Sequence, residues 1–136
     1  MGKSKKLANK GYKFRRNGQD QKALECFNKA IEIDVKNHEA WHGKIKMHGG
    51  QPDELELRHK ALELFPDNTI FLYELGVRYR ELNQPHKSIE YYKKIIELDI
   101  DKTLNSSFVG MALYAMGNAY WDMKEFKKSI ESFNKV

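Results

Sequence analysis

A glycine or isoleucine, followed three residues later by an aromatic residue or histidine, recurs roughly every 34 residues along this chain of 136 residues. The four pairs are Gly11 and Phe14, Ile45 and His48, Gly76 and Tyr79, and Gly117 and Tyr120. A period of this length is typical of stacked arrays, in which each repeat buries its apolar face only against its neighbours. The period therefore limits the function to what a curved, modular surface can do.

The third repeat shows the pattern most clearly. Its first helix matches the spacing W-x2-L-G-x2-Y at four positions, which are Leu72, Leu75, Gly76 and Tyr79. Its second helix has Ser88 and Tyr92 where A-x3-F is expected. The pattern resembles the tetratricopeptide repeat, and the resemblance extends over nearly the whole chain. It implies an all-α fold, a right-handed superhelix of antiparallel helical hairpins.

The repeats lie approximately at residues 4–37, 38–68, 69–102 and 110–136, with the second shortened and the last truncated. The segment Gly49-Gly50-Gln51-Pro52 stands where the second repeat lacks residues. It predicts a short first helix, a tight turn and Pro52 at the start of the second helix. An insert at residues 103–109 predicts a backward extension of the next helix, with Ser106 or Ser107 as its N-cap.

The glycines of the pattern lie in the middle of helices, where glycine costs about 1 kcal/mol relative to alanine. That cost is tolerable where the missing side chain lets the paired helix approach closely. Small residues are expected opposite Gly11, Gly76 and Gly117, and aromatic residues are expected to fill the joint to the next repeat. The small residues are Ala23, Ser88 and Ser129, and the aromatic residues are Phe27, Tyr92 and Phe133.

Composition adds few constraints. Hydrophobic residues make up 40% of the chain, and no run approaches the roughly 18 apolar residues of a membrane span. The charged N-terminus does not resemble a signal peptide. Cys26 is the single cysteine, which excludes an internal disulfide and suits a reducing compartment. We therefore expect a cytoplasmic protein that needs neither a membrane nor a cofactor.

The positive charge is concentrated at the N-terminus. Residues 1–37 contain ten Lys and Arg against four Asp and Glu, whereas the rest of the chain contains 14 bases and 15 acids. Such a patch attracts an acidic peptide, a nucleic acid or another anionic surface, and it equally serves as a solubilising cap on a stack of repeats. The sequence leaves both interpretations open.

The resemblance implies that the first helix of each repeat lines a concave groove, where peptides bind. Tyrosine and tryptophan beside arginine and lysine are suitable anchors for a peptide, although any of these rings could instead pack against the adjacent repeat. By register, the candidate binding residues are Lys5, Asn9, Tyr12, Arg15, Arg16, His42, Lys46, Tyr73, Glu74, Val77, Arg80, Tyr114, Asn118 and Trp121.

One subfamily is excluded by its binding residues. Co-chaperones of this type hold the C-terminal carboxylate of heat-shock chaperones with Lys, Asn and Arg on three successive first helices. The same positions here contain Ala8, Tyr12, Gly43, Ile70 and Glu74, so that clamp is absent.

Catalytic and metal-binding motifs are absent too. His38 and His42 lie four apart, but without a cysteine or carboxylate at motif spacing they are a weak metal signal. No phosphate-binding glycine loop, nucleophile elbow or HExxH motif occurs. We expect no metal site and no enzymatic activity.

The sequence thus predicts an interaction scaffold that binds a partly acidic peptide or helix of a partner protein in a concave groove. One alternative is binding of nucleic acid or another anionic partner through the basic first repeat. A second is a role as the recognition arm of a larger enzyme. The apolar side chains Ile130, Phe133 and Val136 share one helix face, so we expect either that the native chain continues or that two copies associate through the last helix.

Overall fold

The computed structural model describes residues 2–99 and 106–136. These residues form helices α1 (Lys3–Arg16), α2 (Asp20–Ile33), α3 (His38–Met47), α4 (Glu54–Leu64), α5 (Thr69–Glu81), α6 (Pro85–Asp99), α7 (Ser106–Asp122) and α8 (Phe126–Asn134). No strand occurs in the described ranges, and the predicted all-α fold class is confirmed.

The helices belong to two compact units. The N-terminal unit, Met1–Phe65, contains α1 to α4, and the C-terminal unit, Pro66–Val136, contains α5 to α8. In the first unit α1 packs on α2 and α2 on α3, while in the second α5 packs on α6, α6 on α7 and α7 on α8. Each helix therefore buries its apolar face against its neighbours in sequence, as a repeat array requires.

The joints between paired helices combine a glycine with an aromatic ring. A Cβ atom built on Gly11 would lie 2.7 Å from Cε1 of Phe27, and one built on Gly76 would lie 2.5 Å from Cε1 of Tyr92. Phe27 is 0% exposed and Tyr92 is 1% exposed. The glycines are therefore required because the rings occupy the space that any side chain would need.

Serine adds a polar bond at two of these joints. The Ser88 hydroxyl donates to the Gly76 carbonyl at 2.5 Å, and the Ser129 hydroxyl donates to the Gly117 carbonyl at 2.8 Å. Both serines are 0% exposed. The small residue of the pattern thus permits close packing and also satisfies its own buried hydroxyl.

Three of the turns share the same backbone conformation. Gly18, Asn83 and Lys124 occupy equivalent repeat positions and have φ angles of 76°, 65° and 61°. In each turn the next amide donates to a carbonyl five residues earlier, as from Gln19 to Phe14 at 2.8 Å. This arrangement ends the helix and satisfies one of its last carbonyl groups.

The second repeat departs from its prediction at the proline. Helix α3 has 10 residues, against 14 in α1, but α4 begins at Glu54 rather than at Pro52. The prediction for Pro52 is therefore wrong. The Glu54 amide donates to the Gln51 carbonyl at 3.1 Å, and the Glu54 carboxylate accepts from the Gly50 amide at 3.3 Å, so Pro52 lies within a closed turn.

Part of the predicted insert lies outside the described residues. Residues 106–109 belong to α7, as the extension of that helix requires, whereas residues 103–105 are not described. The capping role of Ser106 or Ser107 falls on side chains outside the described set.

Candidate binding groove

A groove of about 390 Å³ lies on the C-terminal unit, with side chains of α5 and α7 on its walls. Residues four apart on one helix share a face, so these two helices present Tyr73 and Val77 on one side and Tyr114 and Asn118 on the other. The full lining is Tyr73, Val77, Arg80, Glu81, Tyr92, Tyr114, Ala115, Asn118 and Asp122. We call this surface the α5–α7 groove.

Aromatic rings form much of its wall. The ring centroids of Tyr73 and Tyr92 are 5.8 Å apart, and those of Tyr114 and Phe133 are 5.5 Å apart. Tyr114 nevertheless remains 58% exposed. Burial raises the pKa of Tyr92 well above its ordinary value, so the Tyr92 phenol is neutral and able to donate a hydrogen bond at physiological pH.

An ion pair joins the two walls near the C-terminal ends of α5 and α7. The Arg80 guanidinium donates from Nε to Asp122 Oδ2 at 2.5 Å and from Nη2 to Asp122 Oδ1 at 3.2 Å. The hydrogen bond to Asp122 raises the pKa of Arg80, so this residue carries a permanent positive charge. Both side chains are more than a third exposed, so the pair contributes roughly 0–1 kcal/mol to stability.

Asn118 supplies a further polar group between the two walls. Its side chain is partly buried and makes no hydrogen bond within the described residues. An asparagine amide has both an acceptor oxygen and donor hydrogens, so it can pair with the carbonyl and the amide of an extended backbone.

The groove contains some of the predicted binding residues and excludes others. Tyr73, Val77, Arg80, Tyr114 and Asn118 line it together. Glu74 and Trp121 are not among its lining residues. The Trp121 ring lies edge-on to Phe126, the first residue of α8, with centroids 4.7 Å apart, and Trp121 is 57% exposed.

The predicted residues of the N-terminal unit have different surroundings. The Tyr12 hydroxyl donates to the Glu39 carbonyl at 2.7 Å and lies 3.5 Å from His42 Nδ1. Tyr12 thus packs towards α3, as the alternative interpretation of these rings proposed. Lys46 is partly buried in α3, and the remaining predicted residues, all exposed on α1, are Lys5, Asn9, Arg15 and Arg16.

Three lining residues were missed by sequence reasoning. Glu81 and Asp122 occupy the repeat position that Arg16 holds in the first repeat, so the register that selected Arg16 would have found them. The pattern predicts Tyr92 as a core residue, and it is indeed 1% exposed. Nothing in the pattern signals that this buried residue also lies against a surface groove.

His38 and His42, which the sequence offered as weak candidates for a metal site, contact different residues. The His38 ring lies edge-on to Phe65, with centroids 6.0 Å apart, whereas His42 faces Tyr12. Within residues 2–99 and 106–136, no group of three or more His, Cys, Asp or Glu side chains is arranged to hold a metal ion. None of the described helices combines the length and the apolar character needed to cross a membrane.

The family of the chain follows from comparison with known proteins. The family model described as "Tetratricopeptide repeat" matches residues 7–37, 71–100 and 112–136, which together are more than half of the chain. The chain belongs to the tetratricopeptide-repeat family. The predicted family is therefore confirmed, and the glycine–aromatic joints are the family pattern seen in three dimensions.

The similar proteins support the fold and leave the partner unspecified. Anaphase-promoting complex subunit 3 of Schizosaccharomyces pombe is 25% identical over 97 residues, which are 69% of this chain but only 15% of that protein. The MamA structure from Desulfovibrio magneticus has a TM-score of 0.75 at 19% identity, covering 99% of this chain and 75% of that one. A tetratricopeptide-repeat protein from Parabacteroides merdae has a TM-score of 0.78 at 21% identity, covering 99% and 53%.

Proposed function

We propose that this tetratricopeptide-repeat protein is a non-catalytic interaction module that binds an extended segment of a partner protein in the α5–α7 groove. Proteins of this family bind protein partners, which supports the general role. The observation that carries the specific proposal is the combination of exposed Tyr114, the available Asn118 amide and fixed Arg80 along one groove. Aromatic anchors beside polar groups are typical of peptide-binding surfaces.

The charges of the groove restrict the segment that it takes. Arg80 is already neutralised by Asp122, and Glu81 adds a negative charge to the lining. An acidic segment would therefore gain little here, and we expect an apolar or aromatic side chain against Tyr114 with its backbone paired to Asn118. An acidic partner segment, as predicted from the sequence, would bind the N-terminal unit instead, because that unit holds 14 bases against 9 acids.

Site-specific crosslinking tests the proposal. A photoreactive phenylalanine analogue at position 114 should capture a partner polypeptide, whereas the same analogue at position 121 should not. Trp121 is a matched control because it lies on the same helix and is equally exposed, at 57% against 58% for Tyr114, but does not line the groove.

The affinity of the captured partner gives a second readout. Tyr114→Ala should weaken binding by about tenfold or more, as loss of an aromatic anchor usually does. Trp121→Ala should leave the affinity within about twofold. Equal crosslinking at both positions, or equal loss from both variants, would show that the α5–α7 groove is not the binding site.

A further inference from the structure

A row of lysines covers one face of α1. Lys6, Lys10 and Lys13 follow the i, i+4, i+7 spacing that places side chains on one side of a helix. Together with Asn9, Phe14 and Asn17, they line a shallow surface hollow of about 580 Å³. We call Lys6, Lys10, Lys13 and Phe14 the α1 lysine face.

The charge of this face is not balanced locally. Helix α1 contains no acidic residue, and Lys6, Lys10 and Lys13 form no ion pair within the part of the chain that the structure describes. Two ammonium groups lie over the Phe14 ring, Lys10 Nζ at 5.8 Å and Lys22 Nζ at 5.7 Å from its centroid. Lys6, Lys10 and Lys13 on one face carry like charges that repel each other, and an anionic ligand relieves that repulsion.

The repeat symmetry indicates what shape of ligand the face accepts. Ala40 holds the position of Lys6 in the next repeat, and it is fully buried in a cluster with Ala30 of α2. In α7, which packs on α6, the equivalents of Lys6, Lys10 and Lys13 are Ala112, Met116 and Ala119, and all three are at least 93% buried. This fold therefore packs a helix on the surface that the α1 lysine face presents to solvent.

We propose that the α1 lysine face binds an acidic α-helix of a partner protein. Carboxylates spaced i, i+4 and i+7 on that helix pair with Lys6, Lys10 and Lys13, and an apolar side chain between them contacts Phe14. The three lysines span about 10 Å along α1, two turns of helix, so a partner helix presents the same spacing. Nucleic acid fits less well because the hollow has a single aromatic residue, Phe14, whereas single-stranded nucleic acid is held by successive stacking rings.

The test uses the full chain and a synthetic helical peptide, cyclised through side chains, with glutamates at i, i+4 and i+7 and a leucine at i+3. We call it the striped peptide. A second peptide, the dispersed peptide, has the same composition with the glutamates spread around the helix. Binding is measured by fluorescence anisotropy at low and raised salt. The two protein variants each remove three positive charges from α1, and they are Lys6→Gln/Lys10→Gln/Lys13→Gln and Lys5→Gln/Arg15→Gln/Arg16→Gln.

The first variant should bind the striped peptide about tenfold more weakly than the unmodified chain, and the second should lose less than about threefold. The dispersed peptide should bind more weakly than the striped one to the unmodified chain. A third variant, Lys6→Arg/Lys10→Arg/Lys13→Arg, keeps the charges and should keep the affinity, which separates loss of charge from loss of folding.

Three results would overturn the proposal. Equal loss from the two glutamine variants would mean that net charge, rather than this face, attracts the peptide. If the unmodified chain does not prefer the striped peptide, the i, i+4, i+7 spacing of carboxylates on a partner helix does not determine binding. If a single-stranded oligonucleotide binds more tightly than the peptide, and the Lys6→Gln/Lys10→Gln/Lys13→Gln variant loses that binding, the face binds nucleic acid instead. Because this face is on the N-terminal unit, Tyr114→Ala should not change any of these measurements, so this proposal and the groove fail separately.

Discussion

Replacing Gly76 with alanine tests how tightly the helices of the third repeat are joined. The new Cβ would stand 2.5 Å from Cε1 and 2.9 Å from Cζ of Tyr92. Carbon atoms in contact prefer about 3.5–4.0 Å, so the ring would have to move by about 1 Å. Tyr92 is 1% exposed and has little space for that movement. Overpacking of this kind costs about 1–3 kcal/mol, and alanine regains about 1 kcal/mol of helix propensity. We expect a net loss of about 1 kcal/mol in the free energy of unfolding.

Gly110→Ala is the matched control. Gly110 lies in α7, and a Cβ atom built on it meets nothing within 4 Å. This variant should therefore gain up to about 1 kcal/mol from helix propensity alone. The difference between the two alanine variants, about 2 kcal/mol, isolates the contact with Tyr92.

Urea unfolding followed by far-ultraviolet circular dichroism measures these free energies. A background with Tyr92→Leu lacks the atoms that meet the new Cβ, so Gly76→Ala should no longer be destabilising there. If Gly76→Ala is as stable as Gly110→Ala, or if the leucine background changes nothing, the close approach of α5 and α6 does not explain why glycine is required.

Other predictions concern the turns, the tyrosines and the last helix. Gly18→Ala should lower the unfolding free energy by about 1 kcal/mol because of the positive φ, and Lys124→Gly should raise it by up to about 1 kcal/mol in the same urea assay. Burial raises the pKa of Tyr91 and Tyr92 above 10.0, so the folded state holds these protons more tightly than the unfolded state does. The stability that they contribute is present below pH 10 and lost as the pH rises further, and Tyr92→Phe should reduce that loss. Ile130 on α8 is 55% exposed, so light scattering across a concentration range should detect self-association that Ile130→Lys abolishes; an unchanged mass distribution in both proteins would contradict this.

The fold was predictable because the residues that define the repeat contact each other within one helical hairpin. Gly76, Ser88 and Tyr92 identify a helix pair without knowledge of any distant contact, since the ring, the small residue and the glycine meet within one hairpin. The position of Pro52 was predicted wrongly because the hydrogen bonds of Glu54, rather than the ring of the proline, determine where α4 begins.

The candidate groove was predictable only in part. The register placed Tyr73 and Tyr114 on neighbouring first helices, and the structure has both on one groove. The register could not show that Trp121 lies beside Phe126 instead, or that Tyr12 donates to the Glu39 carbonyl, because each outcome depends on a residue of another helix. The net charge located the basic N-terminal region, whereas the proposal that this face docks a helix uses the equivalence of Lys6 with buried Ala40, which only the structure provides.

The Arg80–Asp122 ion pair makes the two ends of the α5–α7 groove different. Arg80 is the second-last residue of α5 and Asp122 is the last of α7, so the pair bridges one end of the groove, while no such bridge joins Tyr73 to Tyr114 at the other end within the described residues. A long segment that threads through the groove has to separate this pair, whereas a segment that ends or turns there does not. Raised salt weakens the pair and would thereby speed entry of a threading segment, the opposite of the slowing expected for an acidic helix drawn to α1. The sign of the salt effect on the association rate would thus tell which of the two surfaces a partner reaches first.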